Sequence, residues 1–364
     1  MDYSSIKFSG TNNMEFFTTL RGRVTEYFKE NNITRFGNYK MVLKTIALIA
    51  MYFVPYFLFM FGVFSSYWIQ AILWIIMGFG MAGIGFSVMH DANHGAYSKN
   101  ATVNKILGLF ANILGASATN WKIQHNVLHH SYTNVSGVDE DISPGNIMRF
   151  SPHQPRYKAH KYQHLYAWVL YALMTLQWST VKDFKQILRY KKMGLTKKID
   201  KNFNKLFTHL LISKVVYYGY LIVLPIIFTS TPWYFIILFY VLMHFVAGFI
   251  LAVVFQPAHV IPSSEFPLPD VSGKMDNNWA VHQMLTTANF APKNKLLSWY
   301  VGGLNFQIEH HLFPNICHVH YKKLSEIVKK TAKEYNVPYN VSPTFFGAIA
   351  AHAKLLKEFG TGVR

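Results

Sequence analysis

Residues 41–64 read MVLKTIALIAMYFVPYFLFMFGVF, apolar throughout except for Lys44 near the start. About twenty residues rising ~1.5 Å each cross the hydrocarbon core of a bilayer, so this run is long enough to span. Only Ser65-Ser66-Tyr67 separates it from a second apolar run, 68–89, which makes the two a tight hairpin. The second run contains GFGMAGIG, and small residues let neighbouring helices approach closely. A second hairpin is expected from runs 206–228 and 233–257, joined by Thr229-Ser230-Thr231-Pro232. Lys214 sits awkwardly inside the third run, and near an end it could snorkel.

Composition agrees with a membrane protein. Of 364 residues, 51% are hydrophobic and 14% charged, where a soluble domain carries about a quarter charged. The fold class expected is therefore all-α and integral to the membrane: two transmembrane hairpins, with a helical cap on one side. Residues 1–40 form a polar leader, 41–340 the membrane domain and 341–364 a tail. The apolar pieces at 106–119 and 165–181 read as too short to span and as interfacial, respectively.

Two hairpins place the leader, the middle loop and the tail on one side. The short turns contain no Lys or Arg, while the middle loop and tail hold most of them, so the positive-inside bias makes the shared side cytoplasmic. The net charge of +18 follows the same bias and suits anionic lipid headgroups. It does not argue for nucleic acid, because the charge is spread over loops flanking apolar helices. Cys317 is the only cysteine, so no intramolecular disulfide forms. No signal-peptide pattern precedes the first apolar run, which is expected to serve as an uncleaved anchor.

Seventeen histidines are present, and three clusters stand out: His90-Asp-Ala-Asn-His94, His125-Asn-Val-Leu-His129-His130 and Gln307-Ile-Glu-His310-His311. All fall on the expected cytoplasmic side. Residues four apart on a helix lie about 40° apart in angle, so His90 and His94 can converge on one metal, as can His125 and His129. His130 lies about 100° further round, an arc suited to two adjacent metals. In the third cluster Gln307, His310 and His311 share a sector of about 100°. Imidazole binds iron, zinc and copper. A structural zinc site needs only four ligands, often with cysteine, so the all-histidine supply favours redox iron while leaving the metal open.

The order HDANH, HNVLHH, QIEHH, with transmembrane hairpins between, resembles the membrane-bound fatty acid desaturase family. The Gln opening the third box resembles its front-end branch, which inserts a double bond between an existing one and the carboxyl end. The resemblance covers about residues 40–340. It implies an O2-dependent desaturase holding two non-haem irons on His90, His94, His125, His129, His130, His310 and His311, with His259 of Gln256-Pro-Ala-His259 as a further ligand. Gln307 stands where the family usually has histidine. Many eukaryotic front-end members carry a fused cytochrome b5 domain with a His-Pro-Gly-Gly motif, which is absent here. The resemblance therefore implies electrons from a separate cytochrome b5 or ferredoxin with its reductase, and a fatty-acyl substrate carried on CoA or on a phospholipid.

Other residues carry weaker signals. His282, in Trp279-Ala-Val-His282-Gln283, resembles part of the branch's Trp-x-x-x-Gln pattern and is a candidate ligand or orienting residue. Asp91, Glu309 and the run Asp139-Glu140-Asp141 could orient ligating imidazoles, or the run could be a solvated loop. Trp121 could wall the acyl channel, or be an interfacial tryptophan. His318 and His320 flank a possible zinc site at Cys317, a weak reading. His153, His160 and His164 read as interfacial; His209, His244 and His352 read as packing residues. Two rival functions share the features: a fatty-acyl hydroxylase on the same metals, and a histidine-rich metal transporter. Transporters place their ligands near the midplane of broken helices, whereas these clusters lie at boundaries.

Overall fold

A computed structural model describes residues 3–8 and 13–364. Four helices among them are long and apolar enough to cross a membrane: Tyr39–Met60, Tyr67–Asn93, Phe203–Phe228 and Trp233–His259, here spans one to four. The expected helical fold with four spans stands, and the ends carry new information. Span two continues beyond its apolar stretch to take in His90, and span four ends on His259. Span one starts where Asn38 caps it, its Oδ1 accepting from the backbone N–H of Lys40 at 3.0 Å and of Met41 at 3.4 Å. Such a cap satisfies N–H groups that a helix start leaves open.

The chain divides into two compact units. One comprises residues 38–123 and 168–252, and its core is the membrane spans. Spans one and two touch closely at Gly80, where a Cβ would lie 2.8 Å from the backbone N of Tyr52. Span two meets span four at Gly78, where a Cβ would lie 2.8 Å from the carbonyl O of Met243. The small residues of GFGMAGIG thus set the helix spacing. Lys214 does not snorkel. It is buried, and its Nζ donates to Gly115 O at 2.7 Å, Trp178 O at 2.9 Å and Asp183 Oδ2 at 2.6 Å. Three acceptors exhaust the donors of an ammonium, which is why this charge can stay inside. Tyr217 of span three and His244 of span four share a hydrogen bond of 2.6 Å.

The other unit comprises the described residues up to Gly37 together with 124–167 and 253–364. Its leader helix, Met14–Glu30, buries Phe16, Leu20 and Val24 against Leu324 and Val328 of the helix Tyr321–Glu334. Arg23 reinforces the seam, bonding Thr331 Oγ1 at 2.9 Å and pairing with Glu334 at 2.6 Å. Two short parallel pairs tie distant segments: β1 (Lys7–Phe8) with β2 (Lys274–Met275), and β3 (Asn289–Phe290) with β4 (Val341–Ser342). The tail helix, Phe345–Thr361, buries His352, Leu355, Leu356 and Phe359.

Candidate metal centre

The second box begins one residue-turn after Trp121. The short helix Ala118–Trp121 passes directly into a π-helical stretch, Lys122–His129. In this winding the N–H of His130 bonds the carbonyl of His125 at 2.9 Å, an i to i+5 connection. The register therefore differs from that of a regular helix. His125 and His130, not only His125 and His129, lie one turn apart, with their Nε2 atoms 3.2 Å apart. The third box occupies the helix Gln307–Leu312, and His310 Nε2 lies 2.9 Å from His130 Nε2. At the end of span four the His259 ring lies 4.7 Å from that of His129 and 4.9 Å from that of His311, centroid to centroid.

Adjoining groups of donors result. His129, His259 and His311 form one, and His130, His310 and His311 another; in each, one ligand atom per residue lies within 4.8 Å of the rest. All of these rings are buried. His311 belongs to both groups, so the two adjoin. His125 also groups with His129 and Asp141.

The outward nitrogens of His129, His311, His310 and His259 each meet a partner. His129 Nδ1 donates to Asp139 Oδ2 at 3.0 Å, and Asp139 in turn accepts from the backbone N–H of Asn134 and Asp141, each at 2.9 Å. His311 Nδ1 donates to Gln283 Oε1 at 2.8 Å, and Thr133 Oγ1 donates to the same oxygen at 2.8 Å. His310 Nδ1 meets Tyr321 OH at 3.2 Å, and His259 Nδ1 approaches Thr286 O at 3.4 Å. A partner on one ring nitrogen fixes the tautomer and leaves the other as a lone-pair donor. The Nε2 atoms of His129 and His259 are buried and form no hydrogen bond of normal geometry. A buried polar atom without a partner is costly, and a bound cation would satisfy both. The neutral, all-nitrogen donor set suits a first-row transition metal such as iron, so these residues fit the metal that the motif implies. Burial works against a proton on His129, but the carboxylates of Asp139 and Asp141 outweigh it and hold the ring above its ordinary pKa.

His90 and His94, on the last turns of span two, have ring centroids 4.7 Å apart. Trp121 stands edge-on to both, at 5.6 Å and 5.5 Å. His90 Nδ1 lies 3.4 Å from Asp91 Oδ1. Gln307 is buried and interacts with His259, although its Oε1 makes no hydrogen bond of normal geometry. His282 donates Nε2 to the carbonyl of Thr133 at 2.8 Å, so it supports the second box from outside; burial lowers its pKa to about 4. Glu309 accepts from Asn289 Nδ2 at 2.8 Å and from Tyr339 OH at 2.9 Å. Burial raises its pKa to about 7 against the pull of those two bonds. It links the third box to the segment leading into β4, while the orienting carboxylate is Asp139. Gln283 was hidden beside His282 in the Trp-x-x-x-Gln segment, where the histidine drew attention from the glutamine that orients His311. Of the weaker histidines, His244 bonds Tyr217 and Thr175, His352 bonds Val260 O, and His320 bonds Phe36 O, all as ordinary hydrogen-bonded side chains.

Four apolar helices, a glutamine-opened third box and a buried set of imidazoles that could hold a metal mark a class of integral-membrane protein. The model of the family described as Fatty acid desaturase matches residues 65–343. An sn-1 linoleoyl-lipid 6-desaturase of Arthrospira platensis is 37% identical over 94% of this chain and 92% of its own length. One of the same name from Synechocystis sp. is 36% identical over 98% of each chain. An acyl-lipid (8-3)-desaturase of the moss Physcomitrium patens is 37% identical over 98% of this chain and 74% of its own. The chain belongs to the fatty acid desaturase family. It is a fatty-acyl desaturase, an oxidoreductase of lipid metabolism.

Proposed function

We propose that this desaturase inserts a cis double bond on the carboxyl side of an existing one, in a linoleoyl-type chain carried on a membrane lipid. The names of the cyanobacterial relatives support the substrate, and the Gln307 box supports the front-end position. Acyl-CoA is the other carrier compatible with a net charge of +18. The observation that carries the reading is the pair of adjoining histidine groups sharing His311, with the outer nitrogens of His129, His259, His310 and His311 partnered and His129 and His259 Nε2 left as donors.

His90, His94, His125, His129, His130, His259, His310 and His311 would hold two irons, which when bound would supply the O2-dependent oxidising power to take hydrogen from two neighbouring methylenes. The protein's own part is placement and exclusion of water. Asp139 and Gln283 lock the His129 and His311 rings in one tautomer. Burial keeps bulk water from the reacting carbons. Trp121 would wall the acyl chain. Electrons would come from a separate cytochrome b5 or ferredoxin with its reductase, on the cytoplasmic side by the charge bias.

Expression in a host without polyunsaturates, fed linoleate, tests the proposal by mass spectrometry with double-bond localisation. A new double bond on the carboxyl side of the existing one is expected. A hydroxy acid would replace desaturation by hydroxylation, and a bond on the methyl side would overturn the front-end reading. His129→Ala should abolish product while the protein stays in the membrane; retained turnover would sink its ligand role.

A further inference from the structure

The ion pair buried in the membrane unit is not needed to hold metal, yet it connects to residues that touch the first box. Lys214 of span three and Asp183 are both buried and 2.6 Å apart. Asp183 opens the helix Asp183–Lys192. Its second carboxylate oxygen and its own carbonyl both accept from Asn120 Nδ2, at 3.3 Å and 2.8 Å. Asn120 is fully enclosed and directly precedes Trp121.

Asn120 and Trp121 lie in the first turn, Ala118–Trp121, of a helical run that continues with π winding through His129. The first turn of a helix has backbone N–H groups without intrahelical partners and frays unless caps and tertiary bonds hold it. Side-chain bonds hold this turn. Ser117 caps it by accepting from Asn120 N–H at 3.2 Å, and Asn120 ties it to Asp183. Trp121 also packs on Met89, Ala111 and Ala118, and its indole stands edge-on to His90 and His94. An indole wedged against two imidazoles limits their rotation.

We propose that Asp183 and Lys214 are positioning residues: through Asn120 they hold Trp121 against His90 and His94 and so preorganise the first box for metal. The inference rests on the reading of those two histidines as iron ligands. Neutralising or moving the buried pair loosens this first turn, the indole loses its seat, and the imidazoles gain rotational freedom that metal binding must then remove. Residues that orient ligands from outside commonly alter metal affinity by about 10–100-fold.

The test measures iron release from purified, iron-loaded full-length protein to a chromogenic ferrous chelator, with thermal unfolding followed in parallel. Asn120→Ala should speed release about tenfold at a near-unchanged melting temperature. Trp121→Ala should do the same, Trp121→Phe should stay close to the parent, and the Asn120→Ala/Trp121→Ala double variant should be no faster than the worse single, since both act on one element. Asp183→Leu with Lys214→Met strands no buried charge and should shift release in the same direction. Folded Asn120→Ala protein that releases iron at the parent rate overturns the proposal. His94→Ala separates the two ideas. If it sheds iron and Asn120→Ala does not, the relay alone fails; if Asn120→Ala sheds iron and His94→Ala does not, the ligand reading fails and the relay with it.

Discussion

At the scale of single residues, the site depends on what holds the back of each ring. His129 is gripped by Asp139, which is itself fixed by two backbone N–H donors, so the imidazole has one orientation and one tautomer. Asp139→Asn keeps the shape and removes the charge. Iron affinity should fall about 10–100-fold, read by equilibrium competition with a chelator, and unchanged affinity would show that the carboxylate only fills space. The box histidines were legible from sequence because ligand spacing is local. Asp139 was one of three neighbouring acids with nothing local to rank them. Gln283 bonds both His311 and Thr133, the latter 150 residues away in sequence, and no periodicity encodes such a meeting.

At the scale of elements, the spans were legible because twenty apolar residues have few other uses, whereas the winding of the helix that carries the second box was not. A regular helix has 3.6 residues per turn, and the second box instead winds with an i to i+5 bond that brings His130 under His125. No local residue preference announces a π-turn; it is stable where tertiary contacts reward it. Helix spacing gives a sharper prediction. A Cβ on Gly80 meets the Tyr52 backbone, which cannot swing aside, at 2.8 Å, whereas one on Gly85 meets only the tip of Leu251 at 3.4 Å. Gly80→Ala should cost about 1–3 kcal/mol, seen as a lowered melting temperature in detergent, with Gly85→Ala near the parent. Equal behaviour would mean the spans yield freely. The tail helix carries a pH dependence. Burial lowers His352 to about 4 while its Nδ1 bonds Val260 O at 2.7 Å. The unfolded chain, with histidine near 6.5, binds the proton that the folded one refuses. Stability from this group is therefore fully present above about pH 6.5 and is lost as pH falls through about 4, by roughly 3 kcal/mol in all. His352→Gln should flatten that part of the stability profile between those limits, and an unchanged acid limb would assign it to other groups.

At the scale of the whole molecule, the charge distribution makes a topological claim that contacts within the fold do not address. The turns after spans one and three carry no Lys or Arg, while the segment before span three holds exposed Lys191, Lys192, Lys197 and Lys198, and the helix Tyr321–Glu334 holds Lys322, Lys323, Lys329 and Lys330. Moving such segments across a bilayer is strongly disfavoured relative to leaving them inside, so the turns should face outward and the lysines inward. Cys317, the sole cysteine, is buried, and a Cys317→Ala background allows single exposed cysteines to be placed at will. In sealed right-side-out vesicles, Ser66→Cys and Ser230→Cys should react with a membrane-impermeant maleimide. Lys192→Cys and Lys330→Cys should react only once the membrane is opened. The reverse pattern would put the histidine boxes on the outer side, away from cytosolic electron carriers, and would require a donor on that face. Labelling of Ser66→Cys and Ser230→Cys from opposite sides would instead break the two-hairpin topology itself, because only an even number of crossings between them returns both turns to one surface.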